Sequence, residues 1–135
     1  MNVGIDSISF DIPKIYLPIS TLAIHRGIEP EKLTKGLGLQ KMSFPDANQD
    51  VVTFAANAAL KLIQQEDCNP TTISRIYIGS ESGVDSSKPI ASYVLNLLES
   101  KLGQGSFRNC DVVDITFACI GAVDALQITL DFIRL

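Results

Sequence analysis

The chain has 135 residues, of which 46% are hydrophobic and 19% charged, and its formal net charge is −4. This length suits one ordinary domain with its own apolar core. The acidic balance argues against a basic surface for nucleic acid, and no apolar stretch approaches the length of a membrane span.

The N-terminal part of the chain predicts one strand and two short helical segments. Residues up to Asp6 carry neither a basic start nor a continuous apolar run, so we expect no signal peptide and a cytoplasmic protein. Val3–Ile12 alternates imperfectly between apolar and polar residues, which predicts a strand. A helix is predicted over Ile19–Arg26, ended by Gly27, with another turn beginning near Pro30.

The remainder alternates helices with strands. Asp50 is a plausible N-cap for a helix with a narrow, small-residue apolar face, as expected for a helix that packs closely on a sheet. The elements that follow are a strand over Ile73–Gly79, a helix from Pro89 to Gly103, a strand over Asp111–Ile115 and a helix from Gly121. The order β, α, β, α, β, α predicts an α/β fold, a mixed, parallel-rich sheet with covering helices.

Two loops follow the second and third predicted strands, at residues 80–87 and 116–121. Reactive side chains in parallel sheets collect at the carboxyl ends of the strands. These two loops are therefore the predicted site of any chemistry.

Cys119 is the candidate nucleophile. It lies between a strand and the first turn of a helix, where backbone N–H groups favour an anion and so the thiolate form. From position alone, a small apolar side chain filling a tight turn is the more common interpretation. Cys68 and Cys110 lack this setting and are interpreted as structural, since three cysteines are too few and too irregular for a disulfide framework or a zinc site.

Glu81 is the candidate acid or base. It follows the second strand in Gly79-Ser80-Glu81-Ser82-Gly83, so it could share a cleft with Cys119. Taken alone it could also be a solvated loop residue. The segment differs from the nucleophile elbow of serine hydrolases, because glutamate occupies the central position. His25, the only histidine, falls near a helix end and is interpreted as a surface residue.

Several segments together resemble hydroxymethylglutaryl-CoA synthases, especially the bacterial form. They include Val3-Gly4-Ile5-Asp6-Ser7-Ile8-Ser9-Phe10, Gly36-Leu37-Gly38-Leu39-Gln40-Lys41-Met42, Glu81-Ser82-Gly83-Val84-Asp85-Ser86-Ser87-Lys88 and Ala118-Cys119. Together these segments span essentially the whole chain, and their order and separation carry the resemblance. The resemblance implies that residues 1–135 are part of the N-terminal half of a thiolase-like fold.

The resemblance also implies roles for the two candidate residues. Cys119 matches the residue that acetyl-CoA acetylates, and Glu81 matches the acid/base that takes a proton from the acetyl methyl group. The enolate then attacks acetoacetyl-CoA, and hydrolysis releases hydroxymethylglutaryl-CoA, a step of the mevalonate pathway. The implied partners are CoA thioesters and a second copy in a homodimer, with no metal or redox cofactor.

The sequence departs from the family pattern around the nucleophile, at Phe117, Ile120 and Val123, which make the expected pocket more apolar. The family's catalytic histidine lies downstream of the cysteine, so we expect these 135 residues alone not to complete the reaction. Three alternatives stay open: a polyketide β-branching synthase acting on carrier-protein thioesters, a ketoacyl carrier-protein synthase, which Glu81 disfavours, and a non-catalytic module with a half-thiolase fold.

Overall fold

The computed structural model describes residues 2–135. Contacts divide the chain into two compact units: Ile12–Asp50 forms the smaller, and Val51–Leu135 with the residues up to Asp11 forms the larger. Of the helices in residues 2–135, none has both the length and the apolar character needed to cross a membrane.

The smaller unit consists of two short strands and two short helices: strand β1 (Ile15–Pro18), helix α1 (Ile19–Arg26), helix α2 (Pro30–Thr34) and strand β2 (Lys41–Phe44). The predicted first helix is confirmed, and Gly27 ends it with a φ of 64°, a conformation that glycine adopts without strain. Strands β1 and β2 pair antiparallel. The sequence does not predict this pair, because each strand has only four residues and Pro18 lies in β1.

The larger unit contains the elements that carry the candidate site: helix α3 (Val51–Gln65), strand β3 (Arg75–Gly79), helix α4 (Ile90–Leu102), strand β4 (Asp111–Ile115) and helix α5 (Gly121–Arg134). A short 3-10 turn precedes β3. The two strands are parallel, with Arg75 opposite Asp111 and Gly79 opposite Ile115. Helix α5 packs on both strands, and α3 packs on α4. The predicted α/β fold, with parallel strands covered by helices, is confirmed.

The core of the larger unit lies where α3, α4 and β3 meet. Leu98 and Val94 of α4 are each only 1% exposed, and Phe107, in the loop after α4, is 2% exposed. Burying side chains of this size stabilises the fold by about 1.5–3 kcal/mol each. The sequence predicts that the small-residue face of α3 packs closely on a sheet, whereas in the structure this helix packs mainly against α4.

The predicted strand over Val3–Ile12 is wrong: residues 2–14, all of them described, contain no strand. In the larger unit this segment instead makes polar contacts with α3. Lys61 Nζ donates to the Phe10 carbonyl at 2.9 Å, and Asn57 Nδ2 donates to Asp11 at 2.9 Å. Alternation shows which side chains could share a face, but a strand also needs a partner backbone, and here none pairs with it.

Candidate active site

The two candidate residues follow neighbouring parallel strands at the same edge of the sheet. Gly79 ends β3 opposite Ile115, which ends β4. The pairing continues one step further, because the Ser80 N–H donates to the Ile115 carbonyl at 3.1 Å. Glu81 is the next residue in the chain after Ser80, and Cys119 lies four residues after Ile115. The loops carrying them therefore start side by side.

Cys119 lies in a tight turn between β4 and α5. The Ile120 N–H donates to the Phe117 carbonyl at 3.0 Å, which closes the turn. Ala118 has a φ of 40°, a left-handed conformation that costs a residue with a Cβ about 1–2 kcal/mol. Such local strain is found preferentially at functional sites. The turn leaves Cys119 exposed, two residues before the first residue of α5.

The N-terminus of α5 gives the turn a favourable field for an anion. Among residues 2–135, no side chain caps this helix end. The first N–H groups of a helix have no partner within the helix and carry partial positive charge. The oxyanion of a tetrahedral adduct formed at Cys119 would be stabilised there.

Gly121 allows α5 to begin directly against the ends of the strands. It is buried, and a Cβ built on it would lie 2.8 Å from the Ile115 carbonyl oxygen. Such an approach is too close for any residue but glycine. This contact fixes the helix end, and with it the turn at Cys119, on the sheet.

The loop that carries Glu81 is held by its own polar residues. Ser80 Oγ accepts a hydrogen bond from the Ser82 N–H at 3.0 Å. Further along, the Asp85 carboxylate accepts from the Ser87 N–H at 2.7 Å and the Lys88 N–H at 3.2 Å. Glu81 itself is exposed. The loop backbone is therefore fixed on both sides of a carboxylate that faces solvent.

Asp85 also ties the loop to helix α4. Tyr93, one turn into the helix, donates its hydroxyl to the Asp85 carboxylate at 2.6 Å. This bond lowers the pKa of Asp85 below its usual 3.8, assisted by the backbone donors of the loop. The same bond raises the pKa of Tyr93 above 10.0. Throughout the neutral pH range Asp85 is therefore ionised and Tyr93 protonated, the charge states in which this hydrogen bond forms.

Asp114, the residue before Ile115, holds the far end of the same loop. Its carboxylate accepts hydrogen bonds from the backbone N–H groups of Ile90 and Ala91, the latter at 3.0 Å, at the start of α4. The end of β4 therefore contacts both ends of the Glu81 loop. Sequence reasoning misses this role, because Asp114 lies 24 residues from Ile90 and no local pattern joins them.

The other candidates lie in settings that match their sequence interpretation. His25 is an exposed residue in the last turn of α1. Cys68 and Cys110 are half-buried against the core, and burial, with the nearby Asp111 charge, raises the pKa of the Cys110 thiol. Within residues 2–135 no group of three or more His, Cys, Asp or Glu side chains is placed to hold a metal ion.

Comparison with known proteins identifies the family. Residues 1–134 match the family profile described as "Hydroxymethylglutaryl-coenzyme A synthase N terminal". The chain belongs to the hydroxymethylglutaryl-CoA synthase family. The synthase of Haloferax volcanii is 40% identical over 134 residues, which are 98% of this chain and 30% of that protein. The chain thus spans about a third of the length of such relatives.

Solved structures agree with this assignment to the synthase family. The synthase MvaS, solved in complex with 3-hydroxy-3-methylglutaryl coenzyme A, is 37% identical with a TM-score of 0.85, over 97% of this chain and 30% of that one. The synthase of the curacin biosynthetic pathway is 26% identical with a TM-score of 0.81, over 97% of this chain and 31% of that one. The thiolase-like fold implied by the sequence resemblance is therefore confirmed.

Proposed function

We propose that the protein carrying these residues is an acyltransferase that makes hydroxymethylglutaryl-CoA from acetyl-CoA and acetoacetyl-CoA. The observation that carries the proposal is the pairing of β3 with β4, which starts the Glu81 and Cys119 loops at adjacent positions of one sheet edge. Family membership supplies the reaction class, and these two residues are the ones we assign to it.

In the first step the Cys119 thiolate attacks the carbonyl carbon of acetyl-CoA. A C–S bond forms to Cys119, the C–S bond to CoA breaks, and the CoA thiolate leaves. The exposed position of Cys119 at the start of α5 supports this role, because a substrate can reach the sulfur and the helix end stabilises negative charge.

In the second step the Glu81 carboxylate takes a proton from the acetyl methyl group on Cys119. The electron pair of that C–H bond forms the enolate, which adds to the ketone carbon of acetoacetyl-CoA, and the alkoxide that results takes the proton held by Glu81. Water then hydrolyses the thioester to Cys119, which leaves a carboxylate on hydroxymethylglutaryl-CoA and frees the cysteine. A positioned carboxylate contributes about a hundredfold or more to such a proton transfer. The resemblance implies that a histidine downstream of Cys119 polarises the acceptor ketone. The complete reaction is therefore proposed for the complete gene product.

The alternative acceptor is a carrier-protein-bound β-ketoacyl group, as in polyketide β-branching. The chain is 37% identical to the synthase solved with a CoA thioester and 26% identical to the curacin-pathway synthase, which favours the CoA acceptor. With that acceptor the enzyme acts in the mevalonate pathway. We further propose a cytoplasmic homodimer without a metal or redox cofactor, in a reducing compartment that keeps the three cysteines free.

The test is product formation by the complete gene product. We expect hydroxymethylglutaryl-CoA from acetyl-CoA and acetoacetyl-CoA, and little product when acetoacetyl carrier protein replaces the CoA acceptor. Glu81→Gln should slow condensation about a hundredfold or more, since it removes the base. A wild type that uses only the carrier-protein acceptor would support the β-branching alternative, and one that uses neither would contradict the proposal.

A further inference from the structure

Ser80 makes two contacts that define the backbone on either side of Glu81. Its N–H donates to Ile115 at the end of β4, and its hydroxyl oxygen accepts from the N–H of Ser82. Glu81 is the single residue between the two serines. The first contact sets where the loop leaves the sheet, and the second sets the direction in which it turns.

This arrangement matters because the loop has little other restraint at this point. Glu81 and Ser82 are both exposed, and a glycine follows them at position 83. Glycines widen the range of accessible backbone conformations, so an unrestrained loop would spread the carboxylate over many positions. Proton transfer requires hydrogen-bonding distance, and a displacement of about 1 Å can cost about a hundredfold in rate.

We propose that Ser80 is a positioning residue for Glu81: its hydroxyl, by accepting the Ser82 N–H, directs the carboxylate toward the acetyl group on Cys119. This inference rests on the proposed function, because it assumes that Glu81 removes a proton there. The strand contact does not need the hydroxyl, since any residue except proline supplies the N–H that Ile115 accepts. Removing only the hydroxyl therefore separates positioning from the end of the strand.

The reaction offers two readouts on one protein. Acetylation of Cys119 by acetyl-CoA needs the nucleophile, whereas exchange of the acetyl methyl hydrogens with D₂O needs Glu81. In that exchange Glu81 takes a methyl proton, its carboxylic acid exchanges with solvent, and the enolate takes back a deuteron. Both are followed by mass spectrometry of the acetylated complete gene product.

We expect Ser80→Ala to slow methyl exchange about tenfold to a hundredfold and to leave acetylation within about twofold of the wild type, because it does not touch the nucleophile. Ser80→Thr keeps a hydroxyl acceptor at the same carbon and should restore exchange. Ser82→Ala is the matched control: it removes a neighbouring hydroxyl but keeps the N–H that Ser80 accepts, so exchange should stay near the wild-type rate.

The inference is overturned if Ser80→Ala exchanges at the wild-type rate, if Ser82→Ala is equally slow, or if Ser80→Thr is not restored. It is also overturned if Ser80→Ala loses acetylation together with exchange, since the role is then structural. A wild type that gains no acetyl group contradicts the proposed function itself. A wild type that is acetylated but exchanges no methyl hydrogen contradicts the role of Glu81 and, with it, the inference from Ser80.

Discussion

Gly79 and Gly121 pack backbone against backbone where β3 ends and α5 begins. A Cβ built on Gly79 would lie 2.3 Å from the carbonyl carbon of Gly121, a distance that real Cβ contacts essentially never show. This contact places the start of α5, two residues after Cys119, directly against the sheet. The position of the turn that carries Cys119 therefore depends on Gly79, which lies 40 residues before Cys119 in the chain.

Gly79→Ala should lower the free energy of unfolding by about 1–3 kcal/mol or more, because the added methyl group forces the strand and helix apart. Urea denaturation measures this change. Gly83→Ala is the control: the nearest atom to its new Cβ is the Asp85 carbonyl oxygen at 3.9 Å, so its stability should change by less than about 1 kcal/mol. Equal effects of the two substitutions would contradict the packing described for Gly79.

Asp114→Asn should destabilise the protein by about 1–3 kcal/mol, because the amide offers one oxygen where the carboxylate accepts from two N–H groups of α4. Asp131→Asn is the matched control, since Asp131 contacts Arg134 at 3.4 Å on the surface of α5. That exposed pair should contribute less than about 1 kcal/mol. If Asp131→Asn costs as much stability as Asp114→Asn, Asp114 does not anchor α4.

The Asp85–Tyr93 bond predicts a specific titration. The pKa of Asp85 lies below 3.8, chiefly because Tyr93 donates to it. The stabilising contribution of Asp85 is therefore fully present above its unfolded pKa and is lost as pH falls through the lower folded value. Tyr93→Phe should raise the pKa of Asp85 toward 3.8, as followed by NMR of the carboxyl carbon, whereas Tyr77→Phe should leave it unchanged. A pKa of Asp85 that does not respond to Tyr93→Phe would exclude the hydrogen bond as its main cause.

The cysteines should differ in reactivity toward iodoacetamide. Cys119 is exposed at a helix N-terminus, whereas Cys110 is half-buried and has a raised pKa. We expect Cys119 to be alkylated at least about tenfold faster, as measured by peptide mass spectrometry at neutral pH. Cys119→Ser should abolish the fast alkylation and leave the slower alkylation of Cys110 unchanged. Fast labelling of Cys110 instead would mean that this thiol is far more accessible than the structure shows.

The sequence predicts the elements of the larger unit well where a local period identifies them. Strand β4 has the predicted bounds, and α5 begins at the predicted Gly121. Val3–Ile12 fails because alternation shows a possible face but not a partner strand. The β1–β2 pair escapes prediction for the related reason that a four-residue strand carries too little pattern.

The candidate site, like the fold, is predicted only in part from the sequence. The positions of Cys119 and Glu81 after neighbouring strands follow from the βαβ order, since parallel strands present their carboxyl ends together. The contacts that fix these loops do not follow from it. The left-handed φ of Ala118 has no sequence signal, because alanine has no preference for that conformation, and the contact from Asp114 to α4 is formed only in the folded chain.

The intact mass of the complete gene product after incubation with acetyl-CoA tests the central claim most directly. We expect the wild type and Glu81→Gln each to gain one acetyl group, located on the Cys119 peptide, and Cys119→Ala to gain none. This result would make Cys119 the nucleophile and place Glu81 in the later step. A wild type that stays unmodified, or an acetyl group that persists in Cys119→Ala, would contradict the account.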